Sequence, residues 1–165
     1  IRDKKEIKYK QSIKEFMNRV RESDYCLMLI SDEYLKSINC MYEVVEFIKD
    51  ENYKERILPL IHKDCGIFRI DCRVKYTQYW ENEYKKINDL LSNVENLNQV
   101  EIIDECKRIE NIKRNVGEFL NIISDMNCIS FNDSISIADF KKYILLYFQK
   151  LKKKRFIKII KDILF

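Results

Sequence analysis

The feature that most constrains the fold of this chain is a run of six residues, YCLMLI, at positions 25–30. The run is too short for a stable helix. Its side chains are apolar at both alternating sets of positions, which is typical of a strand buried on both faces of a parallel sheet. Such a strand needs helices above and below it. The run therefore predicts a layered α/β domain.

The segments after this run alternate in the order that a parallel sheet requires. Over residues 35–50 apolar side chains recur at helical spacing, and residues 57–62 form a second short apolar run that contains Pro59. Pro59 counts against a strand, since proline cannot donate a hydrogen bond to a sheet. Two strands joined by a helix pair in parallel. We therefore expect the α/β class.

The second half of the chain predicts more helix than strand. Apolar spacing predicts helices over residues 79–91, 102–123 and 137–151, with a shorter one over 13–20 near the start. Residues 128–131 are expected to form a brief edge strand. The chain has two glycines, at positions 66 and 117, so it contains no glycine-rich phosphate loop. We expect no conventional Rossmann or P-loop nucleotide site.

The net charge of +4 is concentrated at the end of the chain. Residues 141–165 hold nine of the 31 basic residues and one of the 27 acidic ones, which leaves a net charge of −4 over residues 1–140. That part offers no general field for phosphate groups, so we expect no direct binding of nucleic acid by the domain. We interpret residues 151–165 as a basic helical tail or linker.

The cysteines and the longest apolar stretches suggest the compartment. Six cysteines occur without a Cys-x-x-Cys pair, and His62 is the single histidine, so the spacing predicts no zinc site. No apolar stretch is long enough to cross a bilayer, and no charged-then-apolar leader opens these residues. We expect reduced thiols, no membrane span and a cytoplasmic location.

The most specific pattern is the segment SDEYLKSINCMYE, residues 31–43, which follows the first apolar run. It contains a serine, then Tyr-Leu-x-Ser-x-x-Cys, then a glutamate, Glu43. This order resembles the central signature of Toll/interleukin-1 receptor (TIR) domains, especially bacterial ones. The segments ILPLIHKD, YTQYW and GEFLNIISDMN also resemble parts of bacterial members. We expect residues 1–150 to form one TIR domain of flavodoxin-like fold, with a parallel sheet flanked by helices and a helix-rich C-terminal half.

The resemblance implies cleavage of the nicotinamide–ribose bond of NAD⁺, with Glu43 as the catalytic carboxylate. NAD⁺ is then the substrate, no cofactor is implied, and the products are nicotinamide and ADP-ribose or a cyclic form of it. One carboxylate can suffice, because nicotinamide leaves as a neutral ring and needs no acid, unlike the alcohol that an ordinary glycosidase releases. The expected substrate contacts are Ser31, Tyr34, Asn39, Cys40, Tyr9 and Trp80.

The resemblance also implies an assembly. Enzymatic TIR domains are activated by self-association through a "BB loop", which corresponds here to about Asp3–Ser12, and bacterial members serve antiphage immunity with a fused or partner sensor domain. The first strand and helix of a TIR domain would precede Ile1. Two positions depart from the family pattern. Asn39 stands where many enzymatic members have an aromatic residue, and Gln11 stands where the BB loop usually has a glycine.

Each of these residues also has a plainer structural interpretation. Glu43 could be a solvated surface residue, and Ser31 could cap a helix. Cys40 could belong to the core, and Tyr79 and Trp80 could cover the core rather than stack on a nicotinamide or adenine ring.

Two other functions therefore stay open. One is a non-catalytic TIR module that recruits other TIR domains, which Asn39 and Gln11 favour. The other is a response-regulator-like or nucleotide-sensing flavodoxin fold. It requires an acidic cluster at the end of a first strand that these residues do not include.

Overall fold

A computed structural model describes residues 25–92 and 100–132 of the chain, together with 141, 142 and 145. The elements in chain order are β1 (Cys26–Ile30), α1 (Asp32–Lys36), α2 (Ile38–Phe47), α3 (Tyr53–Arg56), β2 (Ile57–His62), α4 (Ile70–Ser92), α5 (Val100–Asp125) and β3 (Ile129–Phe131). A single 3₁₀ turn, Lys63–Cys65, follows β2.

The three strands form a parallel sheet in the order β1-β2-β3. β1 and β2 pair along their shared length, from Cys26 opposite Ile57 to Ile30 opposite Ile61. β3 pairs with β2 only from Leu60 onward, one residue after Pro59. The two predicted strands, their parallel pairing and the brief edge strand at residues 128–131 are confirmed.

The two faces of the sheet differ in how they are buried. Cys26, Met28 and Ile30 of β1 join one core with the helices, and the same core includes Ile57 and Ile61 of β2. The opposite face carries a smaller cluster formed by Leu60, Leu27, Leu29, Ile129 and Phe131. The described helices contribute to the first face. Helical cover of the second face stays a prediction.

The prediction of one helix over residues 35–50 is wrong in its boundaries. The structure has two helices, α1 and α2, separated at Ser37, whose backbone is extended at φ −82° and ψ 122°. The Ser37 side chain accepts a hydrogen bond from the backbone N–H of Cys40, and its own N–H donates to the Tyr34 carbonyl. Ser37 therefore ends one helix and begins the next, which apolar spacing alone does not reveal.

The predicted helix over residues 79–91 begins nine residues earlier, at Ile70. Ile70 and Val74 in its first turns are exposed, so the apolar spacing there does not mark a buried face. The helix predicted over 102–123 is confirmed as α5, Val100–Asp125. The helix predicted over 13–20 and the tail over 151–165 lie outside the described residues. So does most of the helix predicted over 137–151, of which Lys141, Lys142 and Leu145 are described as helical.

Candidate active site

Glu43 lies on α2 at the border between the buried and the exposed face of that helix. Its neighbour Tyr42 faces α5, where the guanidinium of Arg108 lies 5.0 Å from the centre of the Tyr42 ring. Glu43 follows directly, about 100° further round the helix. Asn39, one turn earlier, is exposed, whereas Phe47, one turn later, is fully buried. Glu43 itself is half-buried.

Burial gives the Glu43 carboxyl an unusual affinity for its proton. It raises the pKa of Glu43 from the ordinary value of 4.5 to about 7. Among the described residues Glu43 makes no hydrogen bond or ion pair that would favour the ionised form. The nearby Glu46 of the same helix is different, because it pairs with Lys49. Glu43 therefore keeps its proton to a higher pH than an ordinary glutamate does.

Three further ionisable groups share the surroundings of Glu43. Burial raises the pKa of Tyr34 well above its usual range, and the pKa of Cys40 is raised in the same way. Burial also raises the pKa of Cys26 to about 12. In all three cases the negative charge of Glu43 contributes in the same direction as burial. Glu43, Tyr34, Cys40 and Cys26 thus form one electrostatically coupled group, which we call the Glu43 cluster.

The cluster combines residues from three elements. Cys26 opens β1, Tyr34 lies on α1, and Cys40 and Glu43 lie one turn apart on α2. Tyr34 is 9 residues and Cys26 is 17 residues before Glu43 along the chain. The signature segment therefore folds back beside the start of the strand that precedes it. A carboxylate in such partly apolar surroundings can stabilise positive charge more strongly than it could in water.

Ser31 has a structural role at the carboxyl end of β1. Its hydroxyl oxygen accepts a hydrogen bond of 3.2 Å from the backbone N–H of Tyr34, and its hydroxyl donates to Glu33 at 2.9 Å. Ser31 is therefore the N-cap of α1. This was the plainer of its two interpretations. The contact of Ser31 with a substrate stays a prediction.

Trp80 is enclosed in the core, which favours the plainer of its two interpretations. Its side chain is 0 % exposed, and the indole N–H donates a 2.9 Å hydrogen bond to the Leu35 carbonyl. Both ring faces are enclosed in the core, so a nicotinamide or adenine ring would have to displace core side chains to reach it. We assign Trp80 to the core.

The other expected contacts fall into two groups. Tyr34 and Cys40 belong to the Glu43 cluster, and Asn39 is exposed one turn before Glu43 on the same helix. Tyr9 and the segment Asp3–Ser12 lie outside the described residues. Ser37 was not expected as a site residue. The sequence signal for its capping role was its position three residues before Cys40, since an N-cap oxygen accepts a hydrogen bond from the backbone N–H three residues later.

The carboxyl end of the sheet holds a second polar group, separate from the Glu43 cluster. Asp32 follows β1, and Asp64 follows β2, where its carboxylate lies 2.6 Å from His62 Nδ1. The Tyr76 hydroxyl donates to Asp32 at 2.9 Å. Burial acts to raise the pKa of Asp32, but the hydrogen bonds from Lys36 and Tyr76 outweigh it and lower the pKa. Asp32 is therefore a structural anion.

Comparison with known protein families decides the identity of this arrangement. The sequence profile of the TIR domain matches residues 1–91, more than half of the chain. The chain belongs to the TIR domain family. No curated protein matches the chain, and no solved structure does.

The TIR match covers the elements that build the Glu43 cluster. It includes β1, α1, α2, α3 and β2, and all of α4 except its last residue. α5 and β3 lie beyond it. The parallel sheet with packed helices confirms the expected α/β TIR fold. Within the described residues, no helix of this TIR domain is both long and apolar enough to cross a membrane.

Proposed function

We propose that this TIR domain cleaves the nicotinamide–ribose bond of NAD⁺, with Glu43 as the catalytic carboxylate. The observation that carries the proposal is the half-buried Glu43 carboxyl, whose pKa is about 7 and which has no hydrogen-bond or ion-pair partner among the described residues. A structural carboxylate is normally paired or solvated. A perturbed one in a family that includes NAD⁺-cleaving enzymes is a candidate for catalysis.

The reaction requires little beyond a correctly placed negative charge. When the bond between the ribose carbon and the pyridinium nitrogen breaks, its electron pair goes to the ring, which leaves as neutral nicotinamide. Positive charge develops on the ribose, and the ionised Glu43 stabilises it. Water then attacks the ribose carbon and releases a proton, giving ADP-ribose. Attack by a nitrogen of the adenine ring instead gives a cyclic product.

Tyr34 and Cys40 support Glu43 in this proposal by limiting water. Both are partly buried beside it, and both have raised pKa values, so they stay neutral near pH 7. Neutral neighbours lower the local polarity without pairing with the carboxylate. The electrostatic effect of Glu43 on a cationic substrate is then larger than at an open surface.

We further propose the biological setting that the family suggests. The enzyme acts in bacterial antiphage immunity, in the cytoplasm, and is switched on when TIR domains associate through the segment Asp3–Ser12. A fused or partner sensor domain supplies the signal. Residues 1–150 constitute the TIR domain and residues 151–165 a basic tail or linker.

The decisive test replaces Glu43 with glutamine, which keeps the size of the side chain and removes the charge. We expect Glu43→Gln to lower nicotinamide release from NAD⁺ by about 10²-fold or more, measured by chromatography at high protein concentration and pH 8. Glu46→Gln is the matched control, because Glu46 lies on the same helix but pairs with Lys49. It should keep activity within about twofold of the wild type. Equal turnover by wild type and Glu43→Gln would refute the proposal.

A non-catalytic TIR module is the second candidate. Asn39 favours it, because the residue one turn before Glu43 is exposed and not aromatic. Trp80 favours it as well, since its burial removes an expected ring-stacking partner. Such a module predicts no NAD⁺ cleavage by the wild type. It also predicts a TIR–TIR complex in light scattering that survives Glu43→Gln.

A further inference from the structure

One face of α4 presents three hydrogen-bond donors to the short helix α1. Tyr76, Tyr79 and Trp80 stand at helical spacing, so their side chains leave α4 on the same side. The Tyr76 hydroxyl donates to the Asp32 carboxylate at 2.9 Å, and the Tyr79 hydroxyl donates to the Lys36 carbonyl at 3.3 Å. The Trp80 indole N–H donates to the Leu35 carbonyl at 2.9 Å. We call these three bonds the α4 clamp.

The clamp compensates for the shortness of α1. This helix has five residues, far fewer than a helix needs to be stable by itself. The last carbonyls of any helix lack partners within it. In α1 two of these carbonyls, those of Leu35 and Lys36, accept from Trp80 and Tyr79. Tyr79 and Trp80 therefore hold the C-terminal end of α1 from outside, and Tyr76 holds Asp32 at its first residue.

Holding α1 in place also determines the surroundings of Glu43. Lys36 is followed directly by Ser37, the N-cap of α2, so the bonds from Tyr79 and Trp80 hold the point from which α2 begins. Tyr34 lies on α1 and belongs to the Glu43 cluster. A shift of α1 would therefore move both the start of the helix that carries Glu43 and the phenol that limits water beside it.

We propose that Tyr76 and Tyr79 are positioning residues for Glu43, which act by holding α1 through their hydroxyl groups. This inference rests on the proposed NAD⁺ cleavage only for its kinetic consequence. It assigns Tyr79, which the sequence suggested could stack on a ligand ring, to the support of the site. Neither hydroxyl needs to touch the substrate.

The test removes single hydroxyl groups and leaves the rings in place. Tyr79→Phe and Tyr76→Phe each delete one bond of the clamp, and Tyr76→Phe also removes the 3.2 Å contact of that hydroxyl with the Cys65 carbonyl. Tyr84→Phe is the matched control. Tyr84 lies on the same helix and packs against the core, but its ring contacts Lys113 of α5, 3.9 Å from the ring centre, rather than α1.

Two measurements separate positioning from general stability. In NAD⁺ cleavage we expect each clamp variant to lower kcat by about fivefold with little change in KM, which is the size of effect that one hydrogen bond can have. The second measurement is a carbon-13 titration of the glutamate carboxyl groups, in which the Glu43 signal is the one that Glu43→Gln lacks. In each clamp variant the pKa of Glu43 should fall from about 7 toward 4.5, because a loosened α1 admits water to the carboxyl group. Tyr84→Phe should leave both values unchanged.

The outcomes distinguish this inference from the proposed function. If the wild type does not cleave NAD⁺, the proposed function fails, and the titration alone decides whether the clamp positions Glu43. If Tyr76→Phe and Tyr79→Phe titrate like Tyr84→Phe and the wild type, the positioning role is refuted, whatever the activity.

Discussion

At the scale of single residues, Glu43 differs from the other carboxylates of its region by what surrounds it. Glu46 pairs with Lys49, and Asp50 pairs with Arg56. Within the part of the chain that the structure describes, Glu43 has no such partner, and its burial favours the protonated form. The ionised Glu43 carboxylate therefore makes folding less favourable. This is expected of a residue that is selected for function rather than for stability.

The loss of folding stability caused by the ionised Glu43 should depend on pH. Its pKa is about 7 in the folded state and 4.5 ordinarily. The folded protein therefore binds the extra proton between these values, and stability falls as pH rises through this window. We expect Glu43→Gln to be more stable than the wild type by about 2–3 kcal/mol at pH 8 and nearly equal to it at pH 4.5. Urea unfolding at both pH values measures the difference.

Glu46→Gln is again the control for this measurement. Its carboxylate is paired, so its replacement should cost at most about 0.5 kcal/mol and bring no gain in stability at pH 8. A Glu43→Gln variant that is less stable than the wild type at pH 8 would show that Glu43 is solvated or paired in solution.

At the scale of elements, the short connections depend on single residues with special backbone geometry. Gly66 ends the 3₁₀ turn after β2 in the left-handed region, at φ +53°. A Cβ there would also lie 2.9 Å from the sulphur of Cys72 in α4. A Cβ added at Gly117, in the middle of α5, would meet nothing within 4 Å. A side chain is therefore unfavourable at Gly66 and sterically tolerated at Gly117.

Alanine should destabilise the protein at one glycine and stabilise it at the other. Gly66→Ala is expected to lower the free energy of unfolding by about 1–2 kcal/mol, through backbone strain and the contact with Cys72. Gly117→Ala is expected to raise it by about 0.5–1 kcal/mol, because alanine favours a helix interior. Chemical denaturation of both variants checks this.

A further variant separates the two causes at Gly66. In the Cys72→Ala background, Gly66→Ala should regain part of its loss but not all, since the left-handed backbone remains. A full recovery would assign the whole effect to the sulphur contact.

At the scale of the whole molecule, the core depends on a helix outside the part that matches the TIR profile. α5 packs against α2 and α4 and contributes a row of fully buried apolar residues, namely Ile109, Ile112, Val116, Phe119, Leu120 and Ile123. They lie in the same cluster as the buried side chains of β1 and β2. The domain is therefore held together by contacts between its first and second halves.

Two phenylalanines test this description of the core. Phe119 is 0 % exposed, whereas Phe68, just before α4, is 50 % exposed. We expect Phe119→Ala to lower the free energy of unfolding by about 3–5 kcal/mol and Phe68→Ala by less than about 1 kcal/mol. Thermal unfolding followed by circular dichroism measures both. Similar losses in the two variants would contradict the placement of α5.

The sequence predicted some parts of this structure well for a clear reason. The strands at residues 26–30 and 57–62 consist of continuous apolar runs apart from the final His62, and α5 repeats buried residues at helical spacing over about four turns. The division at Ser37 was missed, because it depends on one side chain bonding to one backbone N–H. The start of α4 was missed as well, since Ile70 and Val74 are apolar but exposed.

By itself the sequence determined the α/β class, the TIR signature and the position of Glu43 within it, because these follow from the spacing of residues along the chain. Only the tertiary structure decided that Glu43 is half-buried beside Cys26 and Tyr34, and that Trp80 supports α1 from the core. The physical reason is that burial and polarity depend on residues that folding brings together. Trp80 and Leu35, which are 45 positions apart in the chain, meet only in the folded domain.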